Sequence, residues 1–190
     1  MNQDNTRSVY DFENFVKTYG DAVYNYLNKL AGDGMDAEDI MQEALLKIAD
    51  GLPELRDPAK IKTWAFRIAT NAAIDFLRGR NKSNTVFDES LINDADGGDD
   101  IEDRAVVDEM SECIRREMGR LASHYHTVMV LHYFEQMSVA EISKICEISE
   151  STVKIRLHRG RLLLNRMLSE GCNFYYDRNS NMRCSSRVKE

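Results

Sequence analysis

The chain has 190 residues, 43% of them hydrophobic, only two prolines and ten glycines, and a formal charge of -7. That is enough apolar material for one large or two small domains and excludes a disordered chain. The acidic balance alone argues against a nucleic-acid partner, but residues 83–103 hold eight acidic side chains and no basic one, which leaves the remainder close to neutral with distinct basic patches.

No apolar run approaches the ~18 residues of a membrane span, and no N-terminal leader pattern is present. The expectation is a soluble, cytoplasmic protein without membrane insertion. Helical periodicity recurs over long segments and sustained alternation is missing, which predicts an all-α protein. Cys113 and Cys146 fall inside helical patterns and read as small core residues.

Phe12 to Ala31 sets Phe15, Val16, Tyr19, Val23, Tyr26, Leu27 and Leu30 at helical spacing, and Gly32 and Gly34 stop that helix. A second helix runs from about Asp36, where acidic residues suit the positive end of the dipole, to about Asp50. Its buried side is Ala37, Ile40, Met41, Ala44, Leu45 and Ile48. Asp39, Gln42, Glu43, Leu46 and Lys47 stay outside, and from the residues alone that face reads as solvated surface or as a contact. Gly51 to Pro58 is an irregular loop whose turns are set by Pro53 and Pro58.

The third helix, Ile61 to Arg80, is the most informative. Ile61, Ala65, Ile68, Ala69, Ala72 and Phe76 make a stripe for burial. The other side gathers Thr63, Arg67, Thr70, Asn71, Ile74 and Arg78, flanked by Trp64. Guanidinium groups for phosphates, an aromatic plane for stacking and an amide for a base edge are what a nucleic-acid strand asks for, although a plain solvated face competes as a reading. Arg78, Arg80 and Lys82 add a basic run at the helix end.

DAEDIMQEALLKI followed by KTWAFRIATNAAIDFLRGR resembles region 2 of bacterial sigma factors of the extracytoplasmic-function (ECF) branch of the sigma-70 family. The resemblance covers Phe12 to about Lys82. It implies that Asp39, Gln42 and Glu43 dock on core RNA polymerase. It also implies that Asn71 and Trp64, with the Leu52–Pro58 loop, handle an extruded base of the promoter -10 element, while Arg67, Arg78 and Arg80 hold phosphates.

Residues 83–104 read as a flexible acidic linker containing Gly97-Gly98. Extended, it could span on the order of 70 Å, roughly two turns of duplex. Its acidity serves solubility, or, as the resemblance implies, mimics a phosphate backbone inside the polymerase.

Beyond it, Val106, Met110, Cys113, Ile114 and Leu121 mark one helix, and Val128, Leu131, His132 and Phe134 another. Ser138 and Glu141 have capping-box spacing before a short helix to Cys146, the turn Glu147-Ile148-Ser149 follows, and a longer helix starts near Glu150. Ile142, Ile145, Ile148, Val153 and Leu157 would close a small core. That is a helix-turn-helix pattern. Its second helix carries Ser151, Thr152, Lys154, Arg156, His158, Arg159 and Arg161, suited to base edges near the N-terminus and to phosphates further along, against the plainer reading of a basic solvated helix. His124, His126 and His132 read as core or surface residues, since no set of metal ligands accompanies them.

Met110 to Leu168 is similar to region 4 of the same family, which reads the -35 element. Glu147 stands where the family usually has glycine, at a cost of about 1 kcal/mol if the backbone there is left-handed. Ala122 and His126 also depart from the common proline and arginine. In the tail, Cys172 and Cys184 bracket FYYDRNSNMR, a possible hairpin, and the two thiols read as unremarkable, as a redox pair or, most weakly, as half of a zinc site.

The expected organisation is region 2 at 8–82, linker at 83–104, region 4 at 105–170 and a cysteine-containing tail at 171–190. No nucleophile–base pair, phosphate loop or metal set appears, so no enzyme activity and no cofactor are expected. The resemblance implies three partners: core RNA polymerase, promoter DNA and an anti-sigma factor. The competing expectation is an autonomous helix-turn-helix regulator that dimerises on a palindrome.

Overall fold

The structure, a computed structural model, describes residues 11–31, 34–80, 112–176 and 182–186. The acidic segment and all of Val106 to Ser111 lie outside those residues. The chain divides into two compact units, one of residues 1–83 with 140–148, the other of residues 84–139 with 149–190.

In the first unit, α1 (Phe12–Ala31), α2 (Gly34–Gly51) and α3 (Ile61–Arg80) pack pairwise on one another. The sequence reading of α1 and α3 matches to the residue, while α2 starts two residues before its expected cap. Short 3-10 turns at Leu52–Glu54 and Pro58–Lys60 join α2 to α3, each with proline in its first positions, where the missing N–H is no loss. Asp57 caps the second turn by accepting the Ala59 N–H at 3.1 Å, and it ion-pairs with Lys60 at 3.0 Å.

Because α3 meets both α1 and α2, its buried arc is wider than a single stripe. Phe66 and Ala73 are fully buried beside the expected Ala65, Ala69 and Ala72, whereas Ile68 and Phe76 are only half-buried. The Tyr26 and Phe66 rings pack at 5.1 Å between centroids, in the middle of the unit.

The second unit holds α4 (Glu112–Gly119), α5 (Ser123–Met129) continuing into a π-helical turn at Val130–Phe134, and α7 (Glu150–Gly171). A hairpin of β1 (Cys172–Tyr176) and β2 (Met182–Ser186) follows, antiparallel, with Cys172 opposite Ser186 and Phe174 opposite Cys184. Among the described residues the fold is therefore helical apart from the expected tail hairpin. Close approach of α5 to α7 depends on Gly160, where a Cβ would sit 2.6 Å from the Met129 sulfur. Glu117 is buried and accepts from Arg116 at 3.1 Å and Arg120 at 2.6 Å, so its charge is balanced at the rim of the unit. His126 is buried too, and desolvation pushes its imidazole down to about 4. It is a core histidine.

Between these elements in sequence, α6 (Val139–Cys146) buries Ile142 and Ile145. Among the described residues no helix is long and apolar enough to cross a membrane.

Candidate nucleic-acid interface

The exposed side of α3 is narrower than its sequence pattern predicts. Thr70 is fully buried: its hydroxyl donates to the Phe66 carbonyl at 2.7 Å and shares a 2.7 Å hydrogen bond with the Tyr26 hydroxyl of α1. A threonine bonded back one turn and across to a neighbouring helix is a packing residue, and it leaves the predicted polar face. Asn71 is exposed, and Arg67 is partly exposed. Arg67 donates to Glu147 at 3.4 Å, an exposed pair that a phosphate could displace at little cost.

Trp64 is half-buried. It packs against the cluster formed by Phe15, Ile48, Leu52, Ile61 and Ala65, and its ring lies so close to the end of α2 that a Cβ on Gly51 would be 2.9 Å from its Cζ2. Glycine at 51 is what lets the indole seat there. Leu52 and Leu55 anchor the following loop in the same cluster, while Pro53, Glu54, Arg56 and Pro58 remain exposed. The Asp57 carboxyl is held below the usual carboxylate range by its hydrogen bonds to Lys60 and to the Ala59 N–H. The result is a pinned loop with an exposed rim, next in sequence to Trp64, Arg67 and Asn71, which helical spacing places on one arc. The side chains of Arg78 and Arg80 lie outside the described residues.

On α2, Ala37, Ile40, Ala44 and Ile48 are fully buried. Asp39, Gln42 and Glu43 are all exposed, with Glu43 paired to Lys47 at 2.6 Å. Leu46 lies between them on the same arc and is 70% exposed. An apolar centre inside a charged rim is how a protein-binding patch is built.

The predicted turn meets the condition under which glycine was expected at 147. Glu147 takes φ 56, the left-handed conformation that favours glycine. Around it, Ser143 donates its hydroxyl to the Ile148 carbonyl at 2.6 Å and accepts the Ile148 N–H at its own carbonyl at 3.2 Å. Ser149 then caps α7, accepting the Thr152 N–H at 3.1 Å. The Ser149 hydroxyl also lies 2.8 Å from that of Ser151 and 2.7 Å from that of Thr152. Thr152 is thereby engaged in the cap.

Along α7, Val153, Leu157, Gly160, Leu163 and Met167 are buried. Ser151, Lys154 and Arg161 are exposed, and Arg156, His158 and Arg159 are half-buried. The middle of the outward face belongs to a residue missing from the predicted set, Ile155, which is 51% exposed. A search for donors passes over an isoleucine, because apolar residues on a helix are read as core by default.

In the tail, Cys172 is buried and disulfide-bonded, whereas Cys146 at the end of α6 is outside any disulfide. The Cys184 side chain lies outside the described residues. Among the described residues, no cluster of three or more histidine, cysteine or carboxylate groups is placed to hold a metal ion.

The family model described as Sigma-70 region 2 matches residues 15–83, and the one described as Sigma-70, region 4 matches residues 111–164. The chain is 33% identical over 169 residues to the ECF RNA polymerase sigma factor SigW of Bacillus subtilis (strain 168), covering 84% of this chain and 89% of that protein. It is 29% identical over 164 residues to the ECF RNA polymerase sigma factor SigM of the same organism, covering 85% and 97%.

Among solved structures, it resembles the sigma factor RpoE in complex with the anti-sigma factor NepR from Bartonella quintana, with TM-score 0.62, 21% identity, and 85% and 98% of the two chains covered. CnrH in complex with the cytosolic domain of CnrY gives TM-score 0.59 and 20% identity, covering 84% and 88%. At these identities the structural likeness speaks for the fold alone.

Proposed function

We propose, from the premise that this chain belongs to the ECF branch of the sigma-70 family, that it docks on core polymerase through α2 and reads promoter DNA through α3 and α7. Sigma factors are non-enzymatic subunits of RNA polymerase, and this chain directs promoter recognition and transcription initiation. The chemistry of RNA synthesis belongs to the polymerase. What this chain supplies is binding energy, applied to bending the equilibrium from closed to open duplex.

The observation that carries the docking assignment is the face of α2, with Leu46 exposed among Asp39, Gln42 and Glu43. For the -10 element, Asn71 and the free edge of Trp64 hold an extruded base against the pinned loop. Arg67, Arg78 and Arg80 neutralise the adjoining phosphates. For the -35 element, Ser151 and Lys154 reach base edges from the first turns of α7, Thr152 supports them through the cap, and Arg156, Arg159 and Arg161 contact the backbone. Region 2 spans 8–82, an acidic linker 83–104, region 4 105–170 and the tail 171–190. The protein works in the cytoplasm, where an anti-sigma factor covers the same docking faces. A redox role for Cys172 with Cys184 draws support from the bonded state of Cys172.

The test is co-purification of the full chain with core polymerase, then run-off transcription on a genomic fragment pool. Joining the core and producing new start sites supports the reading. A chain that ignores the core and shifts duplex DNA alone, as a dimer, is the autonomous regulator instead.

A further inference from the structure

We infer that Ile155 is a specificity-determining residue of α7 and that it receives the methyl group of a thymine in the upstream promoter element. This rests on the reading of α7 as the helix that enters the major groove.

Ile155 stands in the first two turns of α7, the part of a recognition helix that meets base edges. It points away from the buried line of Val153, Leu157 and Gly160 and is 51% exposed. Nothing local favours it there. A β-branched side chain is a poorer helix former than alanine or lysine, and half its apolar surface stays in water. Its helical neighbours are Ser151 one turn before, Lys154 beside it, and His158 and Arg159 one turn after, with Arg161 further along.

An occupant of this face must therefore be an anion that also displays an isolated apolar group in a wet groove. Duplex DNA meets both demands, since the C5-methyl of thymine is the apolar group that a base pair presents in the major groove, between flanking phosphates. The other exposed aliphatic residue of α7, Leu162, is 40% exposed but lies seven residues on, about 10 Å along the axis, beyond the turns that meet the bases. The assignment is to Ile155 alone.

The experiment uses the full chain assembled with core polymerase. Active promoters are selected from a library randomised in the upstream element, and each thymine of the selected element is then replaced in turn by uracil, which removes only the C5-methyl. One replacement should lower run-off transcription by the wild-type holoenzyme about fourfold, the effect of exposing one methyl group. The Ile155→Ala holoenzyme should be weaker on the thymine promoter by a similar factor and indifferent to that same replacement. Uracil substitutions that leave the wild type unchanged everywhere, or that affect both holoenzymes equally, overturn the inference. So does an Ile155→Ala chain that loses retention on core polymerase without any uracil sensitivity, because the face would then be a protein contact. If no promoter is transcribed at all while the chain is folded, the sigma-factor mechanism itself fails, and this inference with it.

Discussion

The two helices proposed to face DNA differ in how much of their polar face the fold keeps for itself. On α3, which is wedged against two neighbours, Thr70 is wholly committed to the core and Trp64 is half committed, leaving the exposed Asn71 and the partly exposed Arg67, which pairs with Glu147. On α7, Ser151, Lys154, Ile155 and Arg161 are exposed, and the cap engages the hydroxyls of Ser151 and Thr152. A helix held on two sides presents a narrow edge, suited to gripping one displaced base. One whose fully buried residues fall on a single line, as in α7, presents a broad face, suited to lying in a groove.

Acid should separate the two units. His126 lies in the second unit and stays neutral when folded down to about pH 4, whereas the unfolded chain takes up a proton near 6.5. In that window the unfolded state binds more protons, so stability falls as pH falls, by up to about 3 kcal/mol. Trp64 is the chain's single tryptophan and sits in the first unit. Loss of helical ellipticity should therefore precede the change in its fluorescence, and coincident transitions would break the comparison.

Thr70→Val should lower the melting temperature by the equivalent of about 2 kcal/mol through the lost bond to Tyr26, with little change in promoter selectivity. Asn71→Ala should do the opposite, leaving the melt unchanged and reducing open-complex formation about tenfold, as permanganate footprinting of the melted strand would register. If Thr70→Val alters selectivity while Asn71→Ala does not, the faces of α3 have been assigned the wrong way round. The smallest effect is a gain. Glu147→Gly removes a left-handed non-glycine residue and should raise stability by about 1 kcal/mol, measurable by urea denaturation, with the lost Arg67 pair contributing little against it.

Much of this was legible in the sequence because local rules set it. The bounds of α1 and α3, the proline-led turns and the start of α7 at Glu150 follow from spacing and turn chemistry, and the left-handed Glu147 from the glycine that the family resemblance expects there. What was not legible depended on a partner elsewhere in the chain. Thr70 looks like a surface hydroxyl until Tyr26, 44 residues earlier, is brought to 2.7 Å. Phe66 and Ala73 fall outside a single buried stripe because the stripe supposes one neighbour and α3 has two. Ile155 is the converse, an apolar residue whose exposure only the packed structure reveals, whereas the exposure of Leu46 follows from helical spacing.

The most direct test of the account is reversal of the α2 face, Asp39→Arg with Glu43→Arg, read by retention of the full chain on immobilised core polymerase. Both side chains are exposed, so the melt should be unchanged while retention is abolished. Normal retention by a folded double variant would contradict the docking surface on which the rest of the mechanism depends.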